Sequence, residues 1–290
     1  MAEKGLITLE YVNTLIRERP EDIHKGQCGR VLIAAGTVGM AGAAVLSVRG
    51  ALKSGAGLVR AAVPGELFNI LQTAVPQATC MDRSIPDGFS RRSLDIYGSI
   101  AVGPGMGADE ENYLLIERIL KNYDGTVVID ADGINSICIY DEDFSAVRNC
   151  SADVILTPHQ GEADRILEAF GEDKVSILGR TEAAELISRR TGACVLLKGN
   201  GTVVTHVEES TYINTTGNPG MATGGSGDVL TGVIAAIAAS GIPAFDAAKT
   251  GAFIHGMAGD IAAETAGQWG MTAVEIEEAL PAALKKIIGK

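Results

Sequence analysis

The sequence predicts an α/β fold with a mainly parallel sheet and helices on both faces. Short β-branched runs alternate with Ala-rich helical stretches, the form taken by βαβ units. In order, strands are expected at residues 30–35, 58–63, 100–102, 126–129, 153–156 and 194–197. An antiparallel edge pair follows at 202–206 and 211–213. The run VLTGVIAAIAA at 229–239 is too long and too Ala-rich for a strand, so it reads as a buried helix whose first turn begins near Ser226. Residues 244–265 and 272–288 carry apolar side chains at helical spacing, with a break at 267–270, and Pro281 is expected to start a separate last helix. The rest reads as mostly helical, without repeat or linker, and residues 1–290 are expected to form one domain.

A chain of 290 residues, 46% hydrophobic, can bury a large core. Its 24 Lys plus Arg against 36 Asp plus Glu give a net charge of -12, which argues against nucleic acid or an anionic membrane as partner. Any phosphate binding must therefore be local. Cys28, Cys80, Cys138, Cys150 and Cys194 are dispersed without a CxxC pair, which suits reduced thiols in a cytoplasmic protein. The start, MAEKGLITLEYV, has no apolar stretch followed by a cleavage site, and no segment is long enough to span a bilayer.

The most informative segment is NPGMATGGSGDVL at 218–230, which places Gly220, Gly224, Gly225 and Gly227 just before Asp228 at the start of the buried helix. Unpaired N–H groups and the positive end of the macrodipole attract anionic oxygens there, and the missing side chains let a phosphate approach the backbone. A carboxylate beside a phosphoryl group can take the proton of an attacking hydroxyl. A cap alone would explain an Asp or Ser, but not this set of glycines. No GxxxxGK[ST] sequence occurs, and the segment lies far from a first strand, so neither a P-loop enzyme nor a Rossmann dehydrogenase fits.

In open parallel sheets, ligands gather at the carboxyl ends of the strands. Strand 126–129 runs into Asp130 and Asp132, strand 100–102 into the turn Gly103 to Gly107, and strand 153–156 into Thr157, His159 and Glu162. Asp130 and Asp132 read either as substrate or metal-shell contacts or as a helix cap. His159 and Glu162 stand at a helix start. Lys198, followed by GNG, could set an ammonium over a phosphate, and NG between apolar runs also signals a hairpin. The small residues of GMAGAA at 39–44 suit either a ligand lying against a helix start or close helix packing. His24, His206 and His255 read as ordinary surface or core histidines.

These segments, taken in order, resemble the ribokinase-like superfamily and, within it, the ADP- or ATP-dependent NAD(P)H-hydrate dehydratases. The resemblance is carried by GRVLIAAGTVGMAGAAVLSVRGALKSGAGLV (29–59), VGPGMG (102–107), VIDADGIN (128–135), LTPHQGE (156–162), LLKGNGT (196–202) and the glycine segment. It implies a three-layer α/β/α sandwich with a mainly parallel sheet and a short antiparallel edge. It also implies dehydration of the S epimer of hydrated NADH or NADPH (NADHX, NADPHX), with ADP or ATP as phosphoryl donor and Mg2+ on its phosphates. Asp228 would be catalytic. Ala43, Gly107, His159 and Asp228 would contact the substrate, and Lys198, Gly199, Asn200, Gly201, Thr202, Gly225 and Gly227 the nucleotide, while direct metal ligands stay unassigned. The resemblance further suggests a cytoplasmic homo-oligomer, a tetramer. No second domain for epimerisation is recognised, so a separate NAD(P)H-hydrate epimerase is expected to interconvert the epimers.

A kinase of a hydroxymethylpyrimidine or thiazole vitamin precursor would use the same Asp228 and glycine pocket, but TPHQGE and GPGMG speak against it. A regulatory nucleotide-binding protein gains nothing from a carboxylate that repels phosphate. The residues leave ADP against ATP, and NADHX against NADPHX, undecided.

Overall fold

A computed structural model describes residues 4–289, so the first three residues of the N-terminal reading lie outside it. The strands are β1 (Gly5–Leu6), β2 (Arg30–Ala34), β3 (Leu58–Val63), β4 (Thr79–Asp82), β5 (Ser99–Val102), β6 (Thr126–Ile129), β7 (Asp153–Leu156), β8 (Cys194–Leu197), β9 (Thr202–Thr205) and β10 (Tyr212–Asn214). They form one sheet in the order β1-β10-β9-β8-β7-β6-β5-β2-β3-β4. Among these, only β9 runs antiparallel to its neighbours, pairing Val195 with Thr205 on one side and Tyr212 with Val204 on the other.

Residues of each strand alternate between two apolar cores, one per face, because successive side chains point to opposite sides. Val31, Ile33, Ala101, Val128 and Ile155 face the core covered by helices Ala41–Lys53, Ser226–Ala239, Ala244–Gly270 and Ala273–Ile288. Leu32, Ala34, Ile100, Val127, Ile129 and Leu156 face the other, covered by helices Glu110–Asn122, Asp132–Tyr140, Gln160–Ala169 and Arg180–Thr191. Strands buried on both faces read as continuous apolar runs, which is why they were legible.

Three expectations need correction. The pair 202–206 and 211–213 is antiparallel, but it is not the edge: β1 adds a parallel strand beyond β10. Neither β1 nor β4 was expected; they are the two outer strands, too short to show alternation. Pro281 does not start a helix but lies inside Ala273–Ile288. Proline removes one helical hydrogen bond, yet Leu280 and Ala283 on either side are fully buried and hold the helix through it. The break at 267–270 is real, with Gly267 at φ 69° and ψ 156°.

Helix Ser226–Ala239 lies against helix Ala41–Lys53 so closely that a Cβ on Gly50 would stand 2.6 Å from the Val229 carbonyl oxygen. A Cβ on Gly232 would strike the Ser47 carbonyl. Small residues on these helices thus serve close packing, which fixes the glycine segment over the carboxyl ends of the central strands.

Candidate active site

Every residue of helix Ser226–Ala239 is buried except Gly227 and Asp228. No side chain caps this helix. Its N-cap is Gly225, at φ 89° and ψ -13°, a left-handed conformation that costs glycine little. A Cβ there would also collide with Leu46 Cδ1. No side chain therefore satisfies the first backbone N–H groups, which are open to an anion.

Asp228 sits in the first turn. Burial, followed by the nearby Asp130 carboxylate, pushes its carboxyl up to about 6, against the opposing pull of Lys198. It is thus mostly ionised at neutral pH and close enough to its working range to take a proton. Gly227 lies beside the same charges: a Cβ on it would stand 3.2 Å from Lys198 Nζ and 3.7 Å from Asp130 Oδ2.

Beneath these is a buried charge network. Lys198 Nζ donates to Asp130 Oδ1 at 2.6 Å and lies 3.8 Å from Glu162 Oε2. Thr231 Oγ1, one turn into the buried helix, donates to Asp130 Oδ2 at 2.7 Å. Burial works against the Lys198 ammonium, but Asp130 and Glu162 outweigh it and hold its pKa above the usual lysine range. Burial raises the Glu162 carboxyl to about 7. Asp130 is therefore no cap: it joins β6, the lysine after β8 and the catalytic helix candidate. Asp132 opens helix Asp132–Tyr140, and its Oδ2 accepts from the Gly107 backbone N–H at 2.9 Å.

His159 and Glu162 form a reciprocal cap on helix Gln160–Ala169. Glu162 N–H donates to His159 Nδ1 at 3.2 Å, and His159 N–H donates to Glu162 Oε2 at 2.8 Å. The His159 ring is more than half exposed, at 55%. Burial of its inner part, then Lys198, lower its pKa, favouring neutral imidazole.

Lys198, Gly199, Asn200, Gly201 and Thr202 form the tight hairpin between β8 and β9, and Thr202 Oγ1 donates to the Gly199 carbonyl at 2.9 Å. Lys198 turns inward to Asp130, while Gly199 and Asn200 stay exposed. Arg180, unremarked in the sequence, braces this turn by donating from Nη2 to the Leu197 carbonyl at 2.8 Å. On the other side, Ala43 begins helix Ala41–Lys53 against the glycine turn after β5, where a Cβ on Gly105 would lie 2.7 Å from Ala43 Cβ. His255 is buried under the glycine segment, its Nε2 3.5 Å from Ser226 Oγ, and burial lowers its pKa to about 4. It is the core histidine that the sequence allowed, and only helix packing brings it under the glycine segment.

The sheet order and layers are those of the ribokinase-like α/β/α sandwiches. Within that class, the profile of the NAD(P)H-hydrate dehydratase family matches residues 31–282, and the chain belongs to this family. It is 37% identical to the ADP-dependent (S)-NAD(P)H-hydrate dehydratase of Neisseria meningitidis, over 87% of this chain and 83% of that one. It is also 38% identical to the bifunctional NAD(P)H-hydrate repair enzyme of Moorella thermoacetica, over 98% of this chain and 54% of that protein. The chain spans about half the length of the bifunctional relatives it matches. The Bacillus subtilis ADP/ATP-dependent NAD(P)H-hydrate dehydratase, crystallised with ATP and Mg2+, superposes with a TM-score of 0.86 at 26% identity, over 98% of each chain.

Proposed function

We propose that residues 1–290 act as one unit that dehydrates the S epimer of NAD(P)H hydrate back to NAD(P)H, converting ADP to AMP, or ATP to ADP, plus phosphate. The observation that carries this reading is the start of helix Ser226–Ala239, where Gly227 and Asp228, the two helix residues that are not buried, follow the open glycines Gly224 and Gly225, with Gly227 beside Lys198. The names of the Neisseria and Bacillus relatives support it.

Asp228 takes the proton of the ring hydroxyl as its oxygen attacks the terminal phosphorus of the nucleotide. The new O–P bond forms as the bridging O–P bond breaks, releasing AMP or ADP. The N–H groups after Gly225 hold the developing charge. The ring nitrogen lone pair then expels the phosphorylated oxygen as phosphate, and loss of the proton on the neighbouring ring carbon restores the reduced nicotinamide. The Lys198–Thr202 hairpin would hold the nucleotide, with Lys198 neutralising phosphate charge at the expense of its pairing with Asp130. Ala43, Gly107 and His159 would border the dinucleotide.

No group of three His, Cys, Asp or Glu side chains poised to hold a metal is found among the described residues. A Mg2+ ion carried on nucleotide oxygens asks only for one or two carboxylates, directly or through water. Glu162, 3.8 Å from Lys198 Nζ, would suit that through water, and the ion would supply charge neutralisation on the phosphates. A cytoplasmic homotetramer, working with an NAD(P)H-hydrate epimerase activity, completes the reading. Among the described residues, no helix is long and apolar enough to cross a membrane.

The test is recovery of reduced-nicotinamide absorbance from chemically hydrated NADH, with Mg2+ and either ADP or ATP. Recovery that requires nucleotide supports the proposal and names the donor. No recovery with either nucleotide sinks it and favours a vitamin-precursor alcohol as substrate.

A further inference from the structure

Arg83 follows β4, the strand the sequence did not disclose, at the carboxyl end of the sheet where ligands gather. Its Nη1 donates to the Gly36 carbonyl at 2.7 Å and reaches the Ala35 carbonyl at 3.4 Å. Its Nε and Nη2 have no acceptor among the described residues. The guanidinium is partly buried, and of the acids around it Asp82 is occupied by Ser84 and Asp109 by Asn112. Glu111 adds negative charge but forms no ion pair with it among the described residues. Gly36 in turn ties Arg83 to the region expected to border the substrate. Its N–H donates to the Pro104 carbonyl at 2.7 Å, and a Cβ on it would stand 3.0 Å from Ala44 Cβ. From Gly105, next to Pro104, the chain of contacts reaches Ala43. On the same loop, Val38 is 70% exposed.

Distance decides which part of a dinucleotide could meet this arginine. Adjacent strands lie about 4.8 Å apart, so in the order β6-β5-β2-β3-β4 the end of β4 is about 14 Å from that of β5 and about 19 Å from that of β6. The reacting ring must lie near Asp228 and Asp130, above β5 and β6. An extended dinucleotide then places its pyrophosphate midway and its adenosine ribose near β4.

We infer that Arg83 is a specificity-determining residue that receives the 2′-phosphate on the adenosine ribose of NADPHX through its unused N–H groups, a planar fork suited to phosphate. This rests on the dehydratase reading. An arginine there accommodates a ribose phosphate as arginines beside dinucleotide sites do. Wild-type protein should favour NADPHX over NADHX in kcat/KM. Arg83→Gln should lose about 10- to 100-fold on NADPHX, the worth of a charge-assisted hydrogen bond or two, and stay within about threefold of wild type on NADHX. Arg83→Lys should fall between. Equal loss on both substrates would mean that Arg83 only braces the Gly36 turn, and no loss on either would likewise overturn the inference. Calorimetric titration with NADPH and NADH gives a readout that needs no turnover. A preference for NADPH that disappears in Arg83→Gln upholds the inference even if wild-type protein repairs neither hydrate, and equal binding of the two by wild type overturns it.

Discussion

Two helices begin at the carboxyl edge of the sheet, and they start in opposite ways. Helix Gln160–Ala169 closes its own N-terminus, with His159 and Glu162 satisfying each other's backbone N–H groups. Helix Ser226–Ala239 begins at a left-handed glycine with no side-chain cap. Both follow polar, turn-forming sequence, yet only the first closes its leading N–H groups with side chains. A capped start positions side chains; an uncapped one offers the backbone itself. In the proposed reaction the first helps frame the substrate while the second receives the transferring phosphoryl group.

The largest expected effect lies at the open helix. Asp228→Asn should lower kcat by about 10²- to 10⁴-fold, the usual worth of a positioned base, with nucleotide affinity kept. The single tryptophan offers a binding signal for that control. Trp269 is fully exposed on the bend that packs against the glycine segment, where a Cβ on Gly220 would lie 2.8 Å from Gln268 Cα. Equal losses in kcat and in affinity would erase the distinction between base and anion pocket.

Next comes the network beneath it. Lys198→Met leaves the buried Asp130 carboxylate without its cation and should cost about 3 kcal/mol in denaturant unfolding. Adding Asp130→Asn should restore much of that. Gly225→Ala forces a Cβ into Leu46 and strains the cap at φ 89°, for about 2 kcal/mol and a weaker nucleotide affinity. If this variant binds nucleotide as tightly as wild type, the open helix start is not the anion site.

Smaller effects separate the helices further. The folded pKa of Asp228, about 6, is above the ordinary 3.8, so the fold favours its protonated form. Wild-type stability should therefore lose this contribution as pH rises from about 4 to about 6, whereas Asp228→Asn should keep only the fall due to Glu162, raised to about 7, and be more stable above pH 6 by up to about 3 kcal/mol. Thermal unfolding across pH 4–8 measures this. At the closed helix, His159→Ala should cost about 1 kcal/mol through the lost cap, whatever it does to substrate affinity.

The central strands were legible because burial on both faces writes them as unbroken apolar runs, and the open helix because glycine before Asp228 has few other uses. The outer strands were not: GL and TCMD carry no periodicity, and with β4 went Arg83. Asp130 stayed undecided between cap and ligand contact because its partners, Lys198 and Thr231, are distant in sequence and meet only through the sheet order. One clue was present, since a lysine at the end of a buried strand needs a counter-charge. Pro281 misled for the reverse reason, a strong local signal overruled by the packing of Leu280 and Ala283.

The most direct measurement of the central claim follows inorganic phosphate and reduced nicotinamide together in one reaction of hydrated NADH with nucleotide and Mg2+. Phosphoryl transfer at the open helix start predicts that the two appear in equal amounts and at the same rate, and that both vanish in Asp228→Asn. Reduced nicotinamide recovered without a matching release of phosphate would contradict it.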